Sequence, residues 1–250
     1  MYHPSYTPLI EIIYTEASTL FNQKDNQELI AQDVALALVD LGLIPIITPF
    51  THFGPFFPKC GVLINLCYSP TQTRAHFYDS LLSYKTNYEI SGANPLALKL
   101  ANDPYLTWIK SSPVLLCNRE LCFQTNYKKN RAFTKSLPYQ VLYLSFVQGK
   151  PCTCYTNNSW DKLSTIPLRK IVQVQKVLKE LSIKSKCPLE KLYGLIAIAD
   201  APSCIKVLGI ELNPKLLPSE GWIHTLDPLG LSYRQILSRA LFKPLNLPID

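Results

Sequence analysis

Three short apolar runs near the N-terminus, with one helical-period stretch between the first two, restrict the topology of this chain more than any other feature. Residues 9–14 (LIEIIY), 44–48 and 61–66 (GVLINL) are each apolar and of strand length. Between the first two, Leu29, Ile30, Val34, Leu38 and Leu41 recur at helical spacing. Asp25-Asn26-Gln27-Glu28 offers an acidic N-cap with a Glu three residues later, and Gly42 stands where glycine commonly stops a helix. Pro49 ends the second strand. The order strand, helix, strand, strand implies a parallel sheet with a crossover helix.

Ligands of open α/β sheets sit outside the carboxyl ends of the strands. Asn65 and Glu16 both fall near such ends. Two readings stand for each: Asn65 is a turn-former or a ligand contact, and Glu16 is a solvated loop residue or a ligand contact.

Hydrophobic residues make up 47% of the 250 and charged residues 17%, which excludes a disordered chain and leaves room for one large domain or two small ones. The formal charge of +7 favours anionic ligands. It comes from scattered basic residues without a basic stripe interleaved with aromatics, so no specific nucleic-acid binding is expected. The eight cysteines form no C-x-x-C pair; Cys152-Thr153-Cys154 would set two thiols on one face of a strand, and the expectation is reduced thiols in a cytoplasmic protein. No signal-peptide pattern opens the sequence and no window has the length of a membrane span, so no membrane partner is expected.

In the second half, residues 140–146 read as a strand. Ile171, Val174, Val177, Leu178 and Leu181 mark an amphipathic helix with lysines on its outer face. Residues 193–199 pair with 204–212 through the turn at Asp200-Ala201-Pro202-Ser203. The second of these strands ends Glu211-Leu212-Asn213-Pro214. Residues two apart on a strand share a face, so Glu211 and Asn213 place two hard oxygen ligands side by side, the donor type that Mg²⁺ takes.

This C-terminal stretch resembles ATP-grasp ligases of the D-alanine–D-alanine ligase type, whose strand ends E-[IVL]-N and whose following helix opens G-[LI]-S-Y. Here those elements read Glu211-Leu212-Asn213 and Gly230-Leu231-Ser232-Tyr233. Residues 62–112 are similar to the same family in Asn65-Leu66, Leu81-Leu82, Ser91-Gly92-Ala93 and Asp103-x-x-x-Thr107. Pro104 and Trp108 stand where the family has two lysines. Phe146-Val147-Gln148-Gly149-Lys150 resembles the family's nucleotide-side hairpin without its acidic residues. The resemblance covers about two thirds of the chain in collinear order.

The resemblance implies an α/β protein with a Rossmann-like parallel lobe over 1–112, of the kind that precedes the ATP-grasp region, and a shortened ATP-grasp α+β lobe over 113–250. It implies phosphoryl transfer from ATP to a carboxylate, which an amine then displaces, with Mg²⁺ and basic groups neutralising charge. The metal ligands would be Glu211 and Asn213. Weaker substrate contacts would come from Glu16, Asn65 and Ser219, and weaker nucleotide contacts from Lys128, Lys129 and Arg131, for which a solvated basic loop is the other reading. No catalytic residue is assigned.

The family's other charges are missing. Leu195 stands for its Arg and Ala197 for a metal-binding Asp, Leu216-Leu217 replaces Pro-Gly, and residues 114–138 contain no glycine for a phosphate loop. The expected function is therefore a ligase-like protein with reduced or lost ligase activity and a binding or partner-interaction role, in effect a pseudoenzyme. Its partners would be an amino acid, a nucleotide, another protein or a second copy; Mg²⁺ and ATP are expected only if the site survives. The alternative is an active ATP-dependent carboxylate–amine ligase, acting on an amino acid or peptide, with displaced catalytic residues.

Overall fold

The computed structural model describes residues 9–14, 27–49, 61–66, 88–103, 105–111, 114, 139–156, 159–163, 166–200, 204–212 and 232–242. By backbone proximity the chain forms two units, Met1–Gly92 with Lys215–Asp250, and Ala93–Pro214. This grouping differs from a linear division at residue 112. Residues 93–112 group with the second unit, and residues 215–250 return to the first.

In the first unit, strands β1 (Leu9–Tyr14), β2 (Pro45–Pro49), β3 (Gly61–Asn65) and β4 (Tyr88–Ser91) form a sheet in the order β2-β1-β3-β4. All three pairings are parallel, and β1 and β3 are neighbours as the sequence implies. Helix α1 (Gln27–Val39) makes the crossover, burying Ile30, Ala31, Val34, Ala37 and Leu38. Gly42 adopts φ +79° just beyond it, the left-handed conformation that stops a helix at low steric cost. The chain steps outward to β2 on one side of β1 and to β4 on the other side of β3. The order therefore reverses between β1 and β3, the switch point at which open sheets bind ligands.

The second unit opens with α2 (Pro95–Ala101). Asn94 caps it, its side-chain oxygen accepting from the Ala97 amide at 2.8 Å, with Pro95 in the first turn. Strands β5 (Gln140–Val147), β6 (Lys150–Thr156), β7 (Ser159–Lys162), β8 (Tyr193–Asp200) and β9 (Ile205–Leu212) form an antiparallel sheet in the order β7-β6-β5-β8-β9. Gln148 and Gly149, at φ 54° and 66°, make the tight β5–β6 turn. A β-bulge leaves Cys152 as the extra residue opposite Ser145 and Phe146. The strict alternation expected across Cys152 and Cys154 is thus broken.

Helix α3 (Leu168–Ser185) buries Val174, Val177, Leu178 and Leu181 and packs against α2, β6 and β9. The side-chain oxygen of Gln173 accepts from the Ile205 amide at 3.1 Å and ties α3 to the start of β9. One sheet face supplies the core, with Leu142, Leu144, Phe146, Cys154, Ile196, Ile198, Ile210 and Leu212 all buried. In the first unit, α4 (Tyr233–Ile236) begins with a capping box between Ser232 and Gln235. It continues as the π-helical turn Leu237–Phe242 and packs on α1.

Candidate functional site

Alternation along each strand and register between strands decide which side chains meet on the second face of the antiparallel sheet. Leu195 on β8 lies directly opposite Glu211 on β9 and opposite Ser145 on β5. One step along, Ala197 lies opposite Gly209 on β9 and Tyr143 on β5. On β6, Thr153 faces Ser145, and Tyr155 faces Tyr143. Two rows therefore cross the face, Thr153–Ser145–Leu195–Glu211 and Tyr155–Tyr143–Ala197–Gly209.

Their environments differ. Ser145 and Thr153 are buried and share a hydroxyl–hydroxyl hydrogen bond. Ala197 is buried, with Tyr143 packed against the small patch it forms with Ala199 and Leu208. The Tyr143 and Tyr155 rings meet edge to face, with centroids 6.5 Å apart. Farther along, the Lys206 ammonium lies 5.0 Å from the centroid of the Tyr139 ring, within cation–π range. Glu211 is partly exposed. Gly194, one residue before Leu195, allows β8 and β9 to approach closely, because a Cβ there would overlap the Glu211 carbonyl oxygen.

The same scaffold appears in solved structures. A D-alanine–D-alanine ligase of Bacillus anthracis complexed with ATP superposes with a TM-score of 0.59 at 11% identity, covering 96% of this chain and 98% of that one. D-cycloserine synthetase DcsG gives 0.57 at 11% identity, covering 95% and 99%. The ATP-grasp ligase PsnB, complexed with a precursor peptide and AMPPNP, gives 0.53 at 10% identity, covering 98% and 100%. The fold is that of the ATP-grasp ligases, of D-alanine–D-alanine ligase type. No family model and no curated protein matches the sequence.

Leu195 and Ala197 share a face with Glu211. A nucleotide-bridging Mg²⁺ needs several hard oxygens. Among the described residues this face supplies one carboxylate, and nowhere do three or more His, Cys, Asp or Glu side chains gather. Asn213, the expected second ligand, lies outside the described residues, as do Glu16, Ser219, Lys128, Lys129 and Arg131. Asn65 is placed at the carboxyl end of β3, with its backbone opposite Ile13 of β1, but its side chain lies outside the description.

The retained Asp103 and Thr107 have local structural work. The Asp103 carboxylate accepts from the Tyr105 amide at 3.0 Å and from the Thr107 amide and hydroxyl at 3.3 Å. Trp108 is buried and donates its indole N–H to the Leu100 carbonyl at 2.8 Å, anchoring the turn to α2. Glu180 on α3 accepts from the Lys110 and Ser111 amides at 2.9 and 3.2 Å. These contacts give the Asp-x-x-x-Thr pair a reason to persist apart from ligand binding.

One polar group passed unremarked in the sequence reading. Glu11, the lone carboxyl of an apolar strand, is fully buried in β1, and Thr48 Oγ1 on β2 donates to it at 2.6 Å. Its sequence signal was its isolation within LIEIIY. Among the described residues no helix is long and apolar enough to cross a membrane.

Proposed function

We propose that this chain is a reduced ATP-grasp protein of D-alanine–D-alanine ligase type, in which ligase chemistry is weakened or lost and a binding or partner-interaction role remains. In this reading residues 1–112 correspond to the lobe that precedes the ATP-grasp region, and 113–250 to a shortened ATP-grasp lobe. The observation that carries it is the row of side chains facing Glu211. Leu195 stands directly opposite that carboxylate and buried Ala197 stands one step along, where the sequence pattern asks for a guanidinium and a second carboxylate.

Phosphoryl transfer depends on charge neutralisation at the transferring group, and loss of one stabilising donor costs about 3 kcal/mol of barrier. Without the guanidinium, the second carboxylate and a glycine loop over the phosphates, ordinary ligation has little to draw on. An amino acid or nucleotide would still find the switch point between β1 and β3, where Asn65 lies and after which Glu16 follows. Ser219, Lys128, Lys129 and Arg131 supply further polar groups in the same reading. Glu211 and Asn213 would hold Mg²⁺ only loosely.

Calorimetric titration with a non-hydrolysable ATP analogue and Mg²⁺ tests this. The expected dissociation constant is about millimolar, or ~4 kcal/mol of binding. Glu211→Gln should remove whatever Mg²⁺ dependence exists. Micromolar affinity that disappears in Glu211→Gln would overturn the reduced reading in favour of an active carboxylate–amine ligase. Micromolar affinity that survives the substitution would place the nucleotide elsewhere.

A further inference from the structure

Helix α3 buries one side in the core of its unit, and every exposed residue on it is either apolar or basic. The apolar ones are Leu168, Val172 and Ile183, and the basic ones are Arg169, Lys176, Lys179 and Lys184. Leu168 and Ile183 are each 74% exposed and Val172 is 40% exposed. At about 100° per residue, Leu168, Val172, Lys176, Lys179 and Ile183 fall within an arc of roughly 80°. They form one outward ridge, with Leu168 and Ile183 ~22 Å apart along the axis.

Acidic groups are withheld from this layer. The one acid of α3, Glu180, is half-buried, and its carboxylate accepts from the Lys110 and Ser111 amides at 2.9 and 3.2 Å. Helix α2, which packs against α3, repeats the pattern, since its one exposed residue is Lys99. The acid that follows it, Asp103, is bound to the amides of Tyr105 and Thr107. Lys110, beside Glu180, is exposed. The outward surface of α2 and α3 therefore carries positive charge with apolar side chains among it, and both nearby carboxylates are engaged by backbone.

Such a surface is complementary to one that is negatively charged and able to take up apolar side chains. We infer that α3 is a docking surface for an anionic lipid bilayer, on which the helix lies flat with Leu168, Val172 and Ile183 entering the headgroup boundary. Lysine is depleted from protein–protein interfaces, whereas at a bilayer its long apolar stem stays among the lipids while its ammonium meets the headgroups. Apolar residues spread along a protruding ridge also suit a plane better than a pocket. The expectation of no membrane partner rested on the absence of a span, and attachment to a surface requires none. This attachment is independent of the face that carries Glu211, because α3 packs on the opposite side of the sheet.

The test is co-sedimentation of the full chain with vesicles of phosphatidylcholine alone or with about 30% phosphatidylserine. Binding should require phosphatidylserine, with half-saturation at about 0.1–1 mM accessible lipid. Each basic side chain on the ridge contributes about fivefold, so Lys176→Gln with Lys179→Gln should weaken binding about twentyfold. Leu168→Gln with Ile183→Gln should weaken it at least about tenfold. Lys206→Gln removes the same charge from the other face of the sheet and should change binding less than about twofold. Thermal melts like the wild type's show that these exposed substitutions leave the fold intact. No binding at about 2 mM lipid overturns the inference, as does equal binding to both vesicle types. Losses from Lys179→Gln and Lys206→Gln of the same size overturn it in favour of diffuse charge attraction. Binding to polyglutamate without binding to vesicles overturns it in favour of an acidic protein partner.

Discussion

Ala197→Asp would place a second carboxylate on the face that carries Glu211, and its cost follows from the packing there. Ala197 is fully buried, lies opposite Gly209 and Tyr143, and has Tyr143 packed against it. A carboxylate introduced there loses its water without gaining a cation, so its pKa should rise by about three units, equivalent to ~4 kcal/mol when the group is ionised. A folded-state pKa raised above the unfolded value of about 3.9 means that the penalty is absent below that pH and grows as pH rises towards the folded pKa. The variant should therefore lose ~4 kcal/mol near pH 7 and about 1.5 kcal/mol near pH 5 from ionisation alone. Ala197→Asn, similar in shape but neutral, should show a loss that does not change with pH. Urea denaturation of both variants at the two pH values separates the terms. Millimolar Mg²⁺ should stabilise Ala197→Asp, but neither the wild type nor the double variant that also carries Glu211→Gln. Equal losses for Asp and Asn at both pH values would refute the reasoning, because a cation or water would then already serve that position.

Two further outcomes follow from buried contacts. Thr48→Val keeps the side-chain shape but removes a donor to the buried Glu11 carboxyl, and should cost about 1–3 kcal/mol by urea denaturation; a change below about 0.5 kcal/mol would show that this bond does not hold the carboxyl. Gly194→Ala drives a Cβ into the Glu211 carbonyl oxygen, so β8 and β9 must part locally, at a cost of about 2–3 kcal/mol and with faster amide exchange along β9; unchanged exchange there would contradict the close approach.

Periodicity made the elements legible. The apolar runs at 9–14, 61–66 and 193–199 became β1, β3 and β8 with ends shifted by at most one residue. The reversal of strand order between β1 and β3 was not legible, because apolar runs do not say on which side of a sheet the next strand is laid. Nor was the return of the C-terminal helix to α1, where Arg234 binds Asp40 across nearly the length of the chain. Register was also hidden. The motifs named Leu195, Ala197 and Glu211 separately, but only strand pairing puts the first directly opposite the third and the second across from Gly209. The Cys152 bulge defeats strict alternation because one extra residue changes which side chains share a face.

A sheet of this kind has one face that must be apolar and another that need not be. Leu144, Phe146, Ile196, Ile198 and Ile210 form the buried face, and polar substitution there would cost the second unit its core. The face with Leu195, Ala197, Tyr143 and Glu211 is mixed: Ala197, Ser145 and Thr153 are buried on it, whereas Leu195, Tyr143 and Glu211 are partly exposed. Charges clustered for catalysis repel or lose solvent when nothing is bound, and replacing them with apolar residues relieves that strain. Under the proposed reduced reading, Leu195 and Ala197 on this face are changes in that direction. Glu211 is partly exposed, so its carboxylate carries a smaller desolvation penalty than a fully buried one. Its presence by itself is thus weak support for a metal site, and the burial of Ala197 beside it weighs more.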